Sequence, residues 1–437
     1  MSVPPADVLI AGGFFSLLDE RLKLGGEGYS PRMMEKIEYA GGNLGSFQAG
    51  RQSLEKLSDL EISTKHVQTL TERLGRERAR ERDGLVEALK NKTLKPPHGQ
   101  PPAAVAIHLD AGKMQFREED VGVGVHAAHW GDIKVACLQT YEPLKQAKDP
   151  QPNPPAAFLD PDRVRKLCAQ MERVRNESAD PAVSGVGEPC RKGPILKVQL
   201  KKGPKIKRPK KLVRSVVATT QSVEPFGWMV VAEAARRRFY QATAKAIVGD
   251  GGNWIWPLAD LHFPGWTQVL DFLHLLVHLW AAATVAYRGQ AGGARRAWDL
   301  YEQMLRDAWR GNVKGVIEAL ENQMRRLGEP PPKAWAGDPR QVVRLTLNYV
   351  KENQTRMDYA RYRREGLPIS SALVESLVKQ INHRTKGTEK FWNDGGGEAV
   401  LQVRAAYLSE DRRAEDFHAR RPRAAAVGTN RHLLNAA

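Results

Sequence analysis

The chain has 437 residues, more than one compact domain normally holds, with 41 % hydrophobic and 27 % charged residues, a globular profile that excludes a disordered or fibrous protein. Lys and Arg number 67 against 50 Asp and Glu, a net charge of +17 that favours a polyanionic partner, nucleic acid or an anionic membrane surface. Three scattered cysteines, Cys137, Cys168 and Cys190, are too few for a disulfide framework or a thiolate zinc site and fit a reducing interior.

The N-terminus lacks a basic region before its short apolar run, so it does not read as a signal peptide. Residues 31–93 read as helical. A first helix runs from about Ser46 to Leu57, and a second is capped by Ser63 and continues past Leu74. Val67, Leu70 and Leu74 share one face of that helix, and Thr64, Lys65, Gln68, Arg73 and Arg76 another. An apolar back with long polar donors suits the recognition helix of a helix-turn-helix; an ordinary solvated hairpin has the same pattern. The proline-rich joint Lys95 to Pro102 ends this region. Three short strands then follow, Ala104–Leu109, Met114–Arg117 and Asp132–Tyr141, as an antiparallel meander.

A helical stretch around Pro161–Arg175 leads to residues 191–214, which hold 11 Lys and Arg and no acid. The run is either a solvated loop or a segment lying along a phosphate backbone, with Lys205, Lys207 and Arg208 at its centre. A helix from about Pro225 to Ala246 precedes a buried strand, Ile247–Val248, which stops at Asp250. A helix-like WIWPLADLHF and a strand, Val269–Asp271, come next. The apolar run Val269 to Tyr287 tempts a membrane assignment, but Asp271, His274 and His278 make that costly, and it reads better as strand into helix. Residues 274–361 are helical, broken at Gly292-Gly293, Gly311 and Pro330–Pro332. The last clear helix opens near Ser370-Ser371, and the tail after Ser409 reads as charged and frayed.

This order of elements is that of an α/β RNase H-like core with a helical insertion after its fifth strand. Asp110 ends the first strand, Asp250 ends the fourth, and Glu375 lies on the final helix. Their separations of 140 and 125 residues have no meaning for a local motif and make sense only through tertiary convergence. Three converging carboxylates are what two Mg²⁺ or Mn²⁺ ions, about 3.5–4 Å apart, require for phosphoryl transfer.

The block GDGGNWIWPLADLHFPGWTQVLDFLHLLVHLW resembles the surroundings of the second catalytic Asp in bacterial insertion-sequence transposases of the Kra type, within the Mutator-like DDE superfamily. LPISSALVESLVKQINHRTKGTEKFWNDGGGEAVLQVRAAYLS is similar to the block around their catalytic Glu, and VAIHLDAGKM with HWGDIKVACLQTY to their first-Asp hairpin. The resemblance spans roughly residues 31–408. It implies an enzyme that cuts double-stranded DNA at terminal inverted repeats and joins the 3′ ends to target DNA, with Asp110, Asp250 and Glu375 as metal ligands. Asp271-Phe272-Leu273-His274 matches the family's Asp/Cys-x-x-His pair, which would bring His274 near the scissile phosphate. Without the family, His274 and His278 at i, i+4 also read as a zinc half-site, but no third ligand is evident. Ala111 stands where many relatives have Gly, and Ser-Ser-Ala precedes Glu375 where others carry Gly-Ser-Gly; neither change removes a carboxylate.

Lys379, His383 and Arg384 are candidates for holding phosphates, and Trp392 for stacking on a base. Trp254 and Trp256 read as core, and Asp260 and Glu398 are the substitute acids. The expected layout is a helical DNA-binding region (1–95), a core (100–278) carrying the basic loop 191–214, an all-helical insertion (279–365), the returning core helix (366–408) and a tail (409–437). A homo-oligomer on DNA, in a prokaryotic cytoplasm at the nucleoid and away from membranes, completes the expectation. The rivals are an inactive or domesticated DNA-binding descendant and an RNase H-like nuclease.

Overall fold

In the computed structural model, which describes residues 8–10, 13–15, 29–95, 99–117, 128–178, 209–387 and 390–420, a five-stranded mixed sheet carries helices on both sides. Ahead of it come a small antiparallel ribbon, β1 (Val8–Ile10) with β2 (Gly13–Phe15), and three helices, α1 (Pro31–Asn43), α2 (Phe47–Ser58) and α3 (Thr64–Lys90). Ser30, Ser46 and Ser63 cap these helices, each hydroxyl accepting a backbone N–H three residues on, which satisfies one otherwise orphaned donor. Val67, Leu70 and Leu74 of α3 are buried against Met34 and Ile37 of α1, as their spacing requires.

The sheet contains β3 (Ala104–Arg117), β4 (Ala128–Tyr141), β5 (Lys211–Thr219), β6 (Ala244–Gly249) and β7 (Thr267–Leu270), in the spatial order β5-β4-β3-β6-β7. β3–β4 and β4–β5 are antiparallel; β3–β6 and β6–β7 are parallel. Between the strands lie α4 (Pro161–Ser178), α5 (Val223–Arg236) and α6 (Ile255–His262). The meander expected from sequence is corrected here. Ala104–Leu109 and Met114–Arg117 are one strand of 14 residues, paired residue for residue with β4. The third strand is therefore β5, which begins inside the basic run, and α4 precedes it rather than following it. The helix expected from Pro225 to Ala246 stops at Arg236, and β6 takes up Ala244–Gly249.

The helical block is α7 (Phe272–Ala286), α8 (Gly293–Arg310), α9 (Val313–Leu327), α10 (Pro339–Glu352) and α11 (Tyr359–Glu365). Its breaks fall at the expected glycines and prolines. Gly311 ends α8 at φ +79°, and the Asn312 side chain accepts the Gly315 N–H to start α9. The apolar run into α7 is core: Leu275, Leu276, Leu279 and Trp280 are all buried. No described helix is long and apolar enough to cross a membrane.

After α12 (Ala372–Thr385) come two helices the sequence reading did not contain, α13 (Asp394–Leu408) and α14 (Arg413–Arg420). The described part of the tail is thus ordered by burial of Ala414, Phe417 and His418. The N-terminal helices dock onto this end of the chain. α3 crosses α13 so closely that a Cβ at Gly75 would meet the Ala399 carbonyl oxygen at 2.1 Å. Glu38 of α1, fully buried, accepts two hydrogen bonds from Arg78 of α3 (2.6 and 2.7 Å). Its Oε2 also lies 2.8 Å from His418 Nε2 and accepts from Tyr407 Oη at 3.2 Å. Burial alone would raise the Glu38 carboxyl, but the hydrogen bonds and charges of Arg78 and His418 hold it below the usual range.

Candidate active site

The parallel pairing of β3 with β6 ends at His108 opposite Val248. Asp110 and Asp250 each lie two residues further on, Asp110 in the middle of β3 rather than at its expected end and Asp250 just past the end of β6, near enough for the charge of one to act on the other. Asp110 shares a face of β3 with Gly112, and α12 covers that face. A Cβ at Gly112 would sit 3.0 Å from Ile133 and 3.2 Å from Val378, so the glycine lets α12 approach. Glu375 is one turn before Val378 on α12, which carries its carboxylate to the two aspartates.

α7 supplies the fourth member. Its start is pinned by Asp271 N–H donating to Gly249 O (2.8 Å) and Phe272 N–H to Ile369 O (2.9 Å). Asp271 is the N-cap: its Oδ1 accepts the Leu273 N–H at 3.0 Å, while its Oδ2 lies 2.6 Å from His274 Nδ1. One carboxylate thus caps the helix and orients a ring three residues on, which explains the Asp-x-x-His spacing physically. Ser371 Oγ donates to Asp271 Oδ2 at 2.5 Å and lies 3.2 Å from Glu375 Oε1, tying α7 to α12. Tyr349 Oη of α10 donates to the Asp250 carbonyl oxygen at 2.7 Å. It reaches there because Gly251, at φ +92°, leaves room: a Cβ would come 2.8 Å from the Tyr349 ring.

The electrostatics are unbalanced. Burial and the neighbouring charge of Asp250 push Asp110 up to about 8, against the pull of His274. Burial and Asp271 likewise raise Glu375. Burial would lower His274, yet the hydrogen bond and charge of Asp271, joined by Asp250 and Glu375, lift it to about 10. The same contact, against burial, keeps Asp271 below the ordinary carboxylate range. His274 and Asp271 therefore form an ion pair that neutralises itself and leaves three further carboxylates. Asp110 and Asp250 each have one oxygen bonded to a local N–H, from Ala111 (2.8 Å) and Gly252 (3.0 Å), and the second oxygens find no hydrogen-bond partner among the described residues. Asp271, His274 and Glu375 also offer ligand atoms within 4.8 Å of one another. His274 Nδ1 is already taken by Asp271, so this trio is a paired network rather than a ready ion cage.

The structure thus gathers Asp110, Asp250, Glu375 and His274. Among the helix residues, Lys65 is exposed at the start of α3, Gln68 donates to Glu72 (2.7 Å), and Arg73 faces Glu77 at 3.8 Å. Lys379 is exposed one turn after Glu375 and lowers its pKa. Arg384 and Trp392 are both buried. Arg384 donates from Nε to Gly41 O at 2.9 Å and stacks on Phe47, 4.4 Å from the ring centre. The buried Trp392 donates its indole N–H to Thr385 O at 2.8 Å. Lys205, Lys207 and Arg208 lie outside the described residues. His278 stacks on Tyr349, 4.1 Å between centroids, as part of the packing behind Asp250. The substitute acids are engaged elsewhere: Asp260 accepts from Gln268, and Glu398 from Thr219 and Thr220. Sequence reading missed the roles of Ser371, Tyr349 and Gly112. Only the Ser-Ser before α12 was a visible signal.

Asp271→Asn is expected to return the His274 titration from near 10 toward 6.5, because it removes the charge that sustains the imidazolium. NMR of the ring nitrogens across pH 5–10 in metal-free buffer reads this directly; an unchanged titration would place the cause elsewhere. Compared with known proteins, the chain matches no family model and no curated sequence at a significant level.

Proposed function

We propose that the chain is a DDE-type DNA transposase, with its sheet read as an RNase H-like core interrupted by the helical block at 279–365. The observation that carries this reading is the convergence of Asp110 from the middle of β3, Asp250 from just past the end of β6 and Glu375 from α12, with one cation, His274, already committed to Asp271. The strand order, with two antiparallel and two parallel pairings around β3, supports the same reading.

The donor set fits two divalent ions of the Mg²⁺ or Mn²⁺ type: hard carboxylate oxygens, partly buried, repelling one another and short of positive charge. Asp110, Asp250 and Glu375 would hold them, and the ions would activate the attacking oxygen and stabilise the leaving one. His274 supplies a fixed positive charge beside the carboxylates, and its Nε2 has no partner among the described residues, so its N–H is free for a phosphate oxygen. Ser371 and Asp271 keep that ring and Glu375 in register. Water attacks a phosphodiester at the element end, releasing a 3′-hydroxyl and a 5′-phosphate. The 3′-hydroxyl then attacks a target phosphodiester, displacing a new 3′-hydroxyl, without a covalent enzyme intermediate. Double-stranded DNA is the partner, and the ends are brought together by a homo-oligomer of the chain.

The test supplies pre-cut duplexes from the DNA flanking the gene, with free 3′-hydroxyls, a supercoiled target plasmid and Mg²⁺ or Mn²⁺. Products joined through those 3′ ends are expected. Fragments without joining would make the protein a nuclease, and DNA binding with no metal-dependent product would make it an inactive descendant.

A further inference from the structure

A cavity of about 430 Å³ lies away from the acids, lined by residues of α2, α3, the end of β3, α12 and residues 390–393. Its walls include Arg117, Arg384 and Lys390 together with Phe47, Phe391 and Gln68. We propose that this cavity receives a single unstacked nucleotide of the bound DNA, an inference that rests on the DNA-transposase reading above.

The chemistry is specific to a planar ring carrying an anion. Arg117 lies over Phe391, its guanidinium carbon 4.0 Å from the ring centre, a pair on which a base can stack. Phe391 is half-buried, unlike its neighbour Trp392, whose ring forms the floor. Among the described lining residues three cations face one acid, Glu72, which already accepts from Gln68 and pairs with Arg76 at 3.8 Å. Arg384 Nη2 is buried with no acceptor among the described residues, an arrangement that an anionic oxygen would complete. The volume lies within the range of about 300–1,000 Å³ for small-ligand sites, roomy for one nucleotide and closed to a duplex, so a base must leave the stack to enter.

Position favours DNA as the source. Glu375 and Arg384 are nine residues apart on one helix, about 13.5 Å; Asp110 and Phe116 are six apart on β3, about 20 Å. At about 3.4 Å per step along a strand, the cavity lies some four to six nucleotides from the scissile phosphate. Trp392 is fastened to the end of β3, since Arg117 N–H donates to Trp392 O (2.9 Å) and Trp392 N–H to Gln115 O (3.0 Å).

The experiment places 2-aminopurine singly at each of the first ten positions of an end duplex and binds it to the full-length protein in metal-free buffer. A change in emission confined to the fourth to sixth positions is expected. Phe391→Ala and Arg117→Ala should each lose it and weaken binding about tenfold, while Phe391→Tyr, which keeps the ring, retains it. Unchanged emission in both alanine variants, or no position-specific signal from a duplex that binds, overturns the pocket and leaves the transposase reading standing. Displacement of the signal by free dTMP alone, with no dependence on position, would make it a free-nucleotide site and also overturn it. Failure of the wild-type protein to bind any end duplex overturns both.

Discussion

On the transposase reading, Asp110→Asn is expected to abolish metal-dependent cleavage and, in EDTA, to make the protein more stable above neutral pH. The activity loss is expected to reach at least about 10²–10³-fold, the cost of deleting one preorganised electrostatic partner. Asp250→Asn and Glu375→Gln should match it in a cleavage assay, because each removes an anionic oxygen from the same cluster. The stability gain follows from the raised carboxyl. Asp110 sits near 8 in the folded protein against 3.8 unfolded, so between those values the folded state holds the extra proton. Its contribution to stability is fully present below about pH 4 and is lost as the pH rises through 8. Each pKa unit is worth about 1.4 kcal/mol, and one or two units surviving in solution would give asparagine an advantage of about 1.4–2.7 kcal/mol at pH 8.5. Denaturant melts of wild type and variant at pH 4 and pH 8.5, with metal chelated, measure it. Equal stability at both pH values would remove the like-charge repulsion from the account, and full cleavage by the variant would remove Asp110 from the site.

Arg78→Ala is expected to destabilise the whole protein by about 3–5 kcal/mol, the cost of leaving a buried charge without its partner. Glu38 would remain fully buried among Tyr407 and His418, having lost both guanidinium hydrogen bonds. Because the wild-type carboxyl is held below its ordinary range, the pair contributes its stability above about pH 4.5 and loses it as the pH falls through the folded value. The variant should therefore show a flatter acid limb in urea titrations between pH 6 and 3. The change lies far from the acids, so cleavage at low temperature should survive. A variant that melts like wild type would mean that the N-terminal helices contribute little to the rest of the molecule.

The legible parts of this chain were those governed by local physics. Ser46, Ser63 and Asn312 announce helix starts because a side-chain oxygen must meet a nearby N–H, and Gly311 announces a stop because a left-handed residue is needed there. Asp250 and His274 sit, as expected, just past a strand end and in a first helical turn, whereas Asp110, expected at the end of a strand, lies in the middle of β3. Elements decided by distant partners were misread. β3 crosses Ala111-Gly112 without a turn, because β4 pairs with every residue and the glycine is required by α12, not by the local backbone. β5 hides behind Lys210, Lys211 and Arg214, although Val213, Val216 and Val217 carry its strand character. α13 opens on Gly395-Gly396-Gly397, which reads as a loop until Asn393 caps it at Gly396 (2.7 Å) and the helix is buried nearly all round. For Arg384 and Trp392 the side-chain chemistry is visible in the sequence, but their burial is not.

The close crossing of α3 and α13 has a consequence for biosynthesis. At about 5–20 residues per second, the helix that receives Gly75 leaves the ribosome about 15–60 s after α3 does, some 300 residues later in the chain. Until then the surfaces of α3 that face α13 have no partner and Glu38 has no His418, so the early product invites chaperones. Glu375, too, is translated late. If the proposed function holds, an interrupted message would yield no half-competent nuclease able to nick the chromosome: the same lateness that burdens folding would keep incomplete copies chemically silent.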